Sequence, residues 1–157
     1  MQYLKLQFGF TLVELLIVVG ILLILVTMIL MATGGGSIWK AAEDSQTVSI
    51  LATLDSALQE YYDFWGDFPV QTPEFLGSPA EFLYYALYST PASRKILEQV
   101  PSSMIKDTDY DEAFEPCDRW GTPLGYIYVQ GRDTFPLITS AGPDRNFGTK
   151  DDIDNRK

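Results

Sequence analysis

Histidine is absent from the 157-residue chain, and cysteine occurs once, as Cys117. The first absence excludes Ser-His-Asp and Cys-His nucleophilic catalysis and removes the usual zinc and haem ligands. The second excludes an intrachain disulfide, and Cys117 reads as a half-buried structural thiol rather than a reactive one. Basic residues are scarce. Eleven Lys and Arg stand against 21 Asp and Glu, a net charge of −10, and Lys5 is the sole basic residue before Lys40. A domain this acidic repels nucleic acid and anionic headgroups, so nucleic-acid binding is set aside. There is no glycine-rich phosphate loop and no nucleophile elbow.

What the chain does have is an uneven hydrophobicity. Residues 10–32 are almost wholly apolar, whereas residues 40–157 have the composition of an ordinary soluble domain. The length suits one such domain beyond a membrane segment. The 23 residues from 10 to 32 would form a helix about 35 Å long, enough to cross a bilayer. A secretory signal peptide has a shorter apolar region followed by a small-residue cleavage site. Here "ATGGGS" at 32–37 comes too late, and the small residue Gly9 precedes the run instead. Glu14 is the single charge between residues 6 and 39. A carboxylate in hydrocarbon costs roughly 2.5 kcal/mol or more on insertion scales and by default marks function. A plain signal anchor oriented by Lys5 leaves "GFTLVE" unexplained; positive charge inside and the acidic domain outside agree with the charge rule for orientation.

"GFTLVELLIVVGIL" at 9–22 resembles the N-terminus of type IV pilins and type II secretion pseudopilins. The resemblance implies a leader over residues 1–9, cut between Gly9 and Phe10 by a prepilin peptidase that then N-methylates Phe10. It implies a transmembrane and assembly helix over 10–33, with Glu14 as the fifth mature residue. It also implies a single-pass protein of the bacterial inner membrane, with a cytoplasmic N-terminus and a periplasmic globular domain over 38–157. Cleavage would create an ammonium at Phe10. In a filament of bundled helices, Glu14 can pair with a Phe10 ammonium, of a neighbour or of its own first turn. Two unpaired charges in an apolar bundle are costly and pairing recovers much of that cost, so the pair rewards correct register. Glu14 is then an assembly device.

Three glycines, Gly34 to Gly36, each cost roughly 1 kcal/mol against alanine in a helix. Residues 34–37 therefore read as a flexible or melted hinge, or as a simple linker. Beyond it, Val48, Leu51, Leu54, Leu58, Tyr61 or Tyr62, and Trp65 recur at helical spacing. This predicts an amphipathic helix over 38–65, ended by Gly66 and Pro69, with the aromatic stripe facing the core. "PAEFLYYALYS" and "PASRKILEQVPSSMI" each open with proline and predict two short helices. The acidic stretch "DTDYDEAFEPCD" at 107–118 reads as a solvated loop, with a cation site as the alternative. "PLGYIYV" and "TFPLITS" predict two strands joined by "QGRD". The fold class is α+β: a long N-terminal helix, half transmembrane and half amphipathic, packed on a small antiparallel sheet.

"SAGPDRNFGTKDDIDN" carries Asp144, Asp151, Asp152 and Asp154 among glycines and a proline, hard oxygen donors on a loop able to turn sharply. An EF-hand is excluded, because the position of its bidentate Glu is Asn155. The alternative is an acidic, disordered tail. "DRWGTPLGYIY" followed by "LITSAGPDRNFGTKDDI" resembles the C-terminal half of the major pseudopilin of type II secretion systems. That resemblance implies a Ca²⁺ loop over 140–154, with Ser140 and Asp144 as early ligands and Asp151 and Asp152 as late ones. The whole implies a structural, non-enzymatic subunit that polymerises with itself into a pseudopilus for protein export. Its partners are the prepilin peptidase, the inner-membrane assembly platform and minor pseudopilins. A type IV or competence pilin shares the same N-terminus. Two other classes remain, a membrane-anchored enzyme using a carboxylate pair such as Asp109 and Asp111, and a calcium-dependent binding module.

Overall fold

The computed structural model describes the backbone of residues 11–32 and 36–156, and within the second helix the side chains from residue 45 onward. The cleavage-site residues Gly9 and Phe10, and Gly34 and Gly35 of the expected hinge, lie outside the described residues. Helix α1 is Leu12–Ala32 and α2 is Gly36–Trp65, so Gly36 and Ser37 stand at the start of a helix. The chain divides into two units, Met1–Ala41 and Ala42–Lys157.

In the first unit, α1 buries no residue, and its Leu, Ile and Val side chains lie open along its whole length. It is long and apolar enough to cross a membrane. An all-round apolar helix has no polar face for water and calls for lipid or other apolar helices around it.

The second unit is α+β. Its core is organised by Thr47, Ile50, Leu51, Leu54, Ala57 and Leu58 of α2, all buried, with Tyr61 packed beside them. This i, i+3, i+4 stripe corrects the expected one at its ends. Val48 and Trp65 are exposed, and at the start of the stripe the buried position is Thr47, one residue earlier, whose polar side chain hid it from a hydrophobicity count. Gly66, at φ +78°, ends α2, and its N–H returns to the Tyr62 carbonyl at 2.7 Å. The two proline-led helices form as expected, α3 at Pro79–Ser89 and α4 at Pro91–Leu97. Thr90, between them, uses its hydroxyl to accept the Trp65 indole N–H at 3.0 Å. Leu83 and Leu87 of α3, Leu97 of α4 and Met104 complete the helical side of the core.

Two antiparallel sheets close the unit. Strand β1 (Ile105–Lys106) pairs with β2 (Glu115–Pro116), and β3 (Gly125–Ile127) pairs with β4 (Leu137–Ser140), which pairs with β5 (Ile153–Asp154). The expected hairpin is present but shorter at both ends, with Tyr126 opposite Ile138. Two features were not expected. The acidic stretch 107–118 ends in a buried strand rather than remaining a solvated loop throughout. The C-terminal tail is held as β5 rather than hanging free. Leu124, Tyr126 and Ile138 carry the sheet side into the common core. Tyr126 donates its hydroxyl to the Pro69 carbonyl at 2.7 Å, and Tyr128 donates to Asp67 at 2.8 Å, so the turn after α2 is clamped to β3.

Candidate functional site

At the N-terminus, Thr11 and Glu14 form a reciprocal cap. The Thr11 hydroxyl accepts the Glu14 N–H at 3.1 Å, while Glu14 Oε2 accepts both the N–H and the hydroxyl of Thr11, each at 3.1 Å. Four N–H groups at a helix start lack intrahelical partners, and a Thr-x-x-Glu box satisfies two of them. Negative charge there also complements the helix dipole. "TLVE" ahead of an apolar run is the sequence signature of this box, and it was missed because Glu14 was weighed as a charge alone. The cap uses one carboxylate oxygen, Oε2, in all of its bonds. Glu14 therefore starts the helix and still presents a carboxylate at its N-terminal end.

At the other end of the chain, the loop between β4 and β5 is closed by its own backbone. Gly142 has φ +66°, and a Cβ there would lie 2.4 Å from the Asp151 carbonyl oxygen. Glycine is required at this crossing. Asp151 Oδ2 accepts the Asp144 N–H at 3.2 Å, Asp144 Oδ1 accepts the Asn146 N–H at 2.8 Å, and Asp152 Oδ2 accepts the Gly148 N–H at 2.8 Å. Thr149 Oγ1 donates toward both Asp151 and Asp152. Asp144, Asp151 and Asp152 thus share one short loop. Ser140 stands at the root of that loop. It is fully buried, donates to Asp118 Oδ2 at 2.7 Å and accepts the Gly142 N–H at 3.1 Å.

Asp118 is the residue that sequence reasoning passed over. It is 1 % exposed, and Oδ1 accepts the N–H groups of Trp120 (3.0 Å) and Thr122 (2.8 Å) while Oδ2 takes the Ser140 hydroxyl. The "WGTP" turn, with Gly121 at φ +83°, is therefore fastened to the root of the C-terminal loop by one carboxylate. An aspartate two residues before W-G could have signalled an Asx-type turn. Nearby, Cys117 is buried and its thiol is pushed up to about 12, first by burial and then by the Glu115 charge, as a structural thiol should be.

Glu81, Asp109 and Asp111 form a third acidic group, with carboxylate oxygens within 4.8 Å of one another. Glu81 is buried, while Asp109 and Asp111 are exposed, on the stretch where the sequence left a cation site open.

Residues 4–30 match the family described as the prokaryotic N-terminal methylation motif. No curated protein and no solved structure matches the chain. The matched segment gives this chain a type IV pilin-like N-terminus, and it contains the capping box and most of α1.

Proposed function

We propose that the chain is the structural subunit of a type II secretion pseudopilus, a periplasmic filament built on its N-terminal helix to drive protein export. The observation that carries the reading is the methylation motif at residues 4–30, which covers most of a helix with no polar face and one carboxylate at its third position. Such a helix is stable in lipid before assembly and among copies of itself afterwards. A prepilin peptidase cuts between Gly9 and Phe10 and methylates Phe10. Glu14 then meets a Phe10 ammonium in the bundle, and the mismatch of leaving either charge alone selects the register. The subunit passes from the inner membrane to the filament through an assembly platform and is joined by minor pseudopilins.

The C-terminal loop supports the pseudopilin over the type IV pilin. Its donor set is hard oxygen, with Asp144, Asp151 and Asp152 on one closed loop, and calcium suits such irregular oxygen geometry. Ser140, at the root of the loop, joins the set through the remaining lone pair of its hydroxyl while its bond to Asp118 holds it in place. A type IV pilin remains the second reading, because it shares the whole N-terminal motif.

The test is co-expression with and without a prepilin peptidase, followed by mass measurement of the N-terminus. Loss of residues 1–9 with one added methyl group is expected, and Gly9→Val should abolish it by crowding the peptidase pocket. A mature protein beginning at residue 1, or beyond residue 32, overturns the pilin-like reading.

A further inference from the structure

Along α2 the second unit leaves a groove unfilled. A cavity of about 740 Å³ opens between α2 and the segment from Gln99 to Lys106, over the buried Ile50 and Met104. A smaller cavity, of about 370 Å³, continues it toward Ser56, and the two share Ser49, Thr53 and Gln99. At the rise of a helix, the α2 wall from residue 46 to 56 is about 15 Å long. The wall is low, because the Thr53 and Ser56 hydroxyls turn back to the Ser49 and Ala52 carbonyls, each at 2.9 Å.

One end of the groove is cationic. Lys106 and Arg119 line it, both exposed, and neither is in an ion pair among the described residues, where Arg132 with Asp133 is the pair formed. Asp118, the acid on the same lining, is already bonded to Trp120, Thr122 and Ser140. In a chain of net charge −10, this end of the groove suits an anionic partner.

The chain itself carries a matching shape. Between β1 and β2, Asp107 accepts the N–H groups of Tyr110, Asp111 and Glu112, which fixes residues 107–112 as a turn. Tyr110 and Glu112 are held at φ +65° and +71°, the left-handed region that non-glycine residues rarely adopt. Tyr110 is 89 % exposed, and Asp109, Asp111 and Glu112 are exposed around it. The turn therefore stands clear of its own groove. Tyrosine is a frequent anchor at interfaces, and a preformed turn loses little entropy on binding.

We propose that the 107–112 turn of one copy docks in the α2 groove of a second copy. Tyr110 covers Ile50 and Met104, and the carboxylates beside it face Lys106 and Arg119. The contact goes beyond the helix-bundled filament proposed above, since it lies in the second unit and uses neither Glu14 nor the C-terminal loop.

The test uses full-length protein co-expressed with a prepilin peptidase and purified in detergent micelles. Equal amounts of ¹⁴N and ¹⁵N protein are mixed and treated with a water-soluble carbodiimide, which joins lysine to a carboxylate in contact with it. Mass spectra should show Lys106 of one isotope joined to Asp109, Asp111 or Glu112 of the other. Arg119→Gln and Tyr110→Asn, at exposed positions, should each lower that yield roughly tenfold, as loss of an interface anchor does. Asparagine tolerates the left-handed backbone at position 110. Links confined to one copy, mixed links from Lys106 to other carboxylates, or unchanged yields in both variants overturn the proposal. Protein that has lost residues 1–9 yet gives no mixed link overturns this contact alone and leaves the pilin-like reading in place.

Discussion

Asn155 donates from Nδ2 to Asp55 Oδ1 at 2.7 Å, joining two residues 100 positions apart. The same amide donates to the Pro136 carbonyl at 3.1 Å, and Asn155 Oδ1 accepts the Ile138 N–H at 3.0 Å. One side chain thus fastens the end of β5 to β4 and both to α2. Replacing it by alanine leaves the Ile138 N–H, beside a fully buried side chain, without its partner. Asn155→Ala should lower the stability of the second unit by about 2–3 kcal/mol, read from urea unfolding of the full chain in detergent. A loss within experimental error would mean that the tail is not held by this amide.

Asp55 gives that contact a pH dependence. Burial raises its carboxyl above 3.8, and the Asn155 bond offsets part of the rise. A carboxyl raised on folding binds its proton more tightly in the folded state. Its contribution is therefore complete below the unfolded value and is lost as pH climbs through the folded one. Asp67 has the opposite sign, held low by the Tyr128 hydroxyl and the Phe68 N–H, so its contribution is lost as pH falls below 3.8. In Asp55→Asn the fall in stability just above pH 3.8 should be absent, while the fall below it persists. Urea midpoints across a pH series check this, and an unchanged slope above pH 3.8 would assign the pH response to other carboxylates.

The elements that could be foreseen are those whose signals are local. Pro79 and Pro91 at helix starts, Gly66 past the end of α2, and the apolar run of α1 each depend on a few adjacent residues. The α2 stripe was legible through Leu51, Leu54 and Leu58, and misplaced at its start because the buried residue there is Thr47, whose polar side chain hydrophobicity does not report. The two-residue strands β2 and β5 were hidden for a different reason. Each is two residues long and owes its conformation to its ladder partner, β1 or β4, while Glu115, Pro116 and Asp154 carry no strand signal of their own. The sites follow the same division. Glu14 stood out as a charge in an apolar run, whereas Asp118 and Glu81 acquire meaning from residues they meet through the fold.

Glu14 has two roles that one substitution separates. Gln can occupy the third position of a capping box, keeping the bonds from Thr11, but it carries no charge. Glu14→Leu removes both. If charge pairing sets filament register, Glu14→Gln and Glu14→Leu should both insert into the membrane and both fail to join filaments. If the cap alone matters, Glu14→Gln should assemble like wild type. Sedimentation of sheared filaments, with membrane fractions as the loading control, distinguishes the two, and the charge reading predicts the first outcome.

The C-terminal loop supplies the last expectation. Asp144, Asp151, Asp152 and Asp154 crowd into eleven residues, so their mutual repulsion opposes closure of the loop onto β4. Bonds from Thr149, Gly148 and the Asp144 N–H offset part of it. A Ca²⁺ ion would cancel much more, and at one hundred times its dissociation constant it adds about 2.7 kcal/mol. Magnesium should do less, since a loop of carboxylates and carbonyls suits seven-fold coordination better than a strict octahedron. The measurement is the thermal midpoint of the full chain in detergent, in millimolar calcium, magnesium or chelator. Asp144→Ala should remove the calcium gain. Gly142→Ala should remove it too, because its Cβ would strike the Asp151 carbonyl and reopen the loop. Equal midpoints in calcium and chelator would leave this loop a self-bonded acidic turn, and the type IV pilin would then be the better reading of the whole chain.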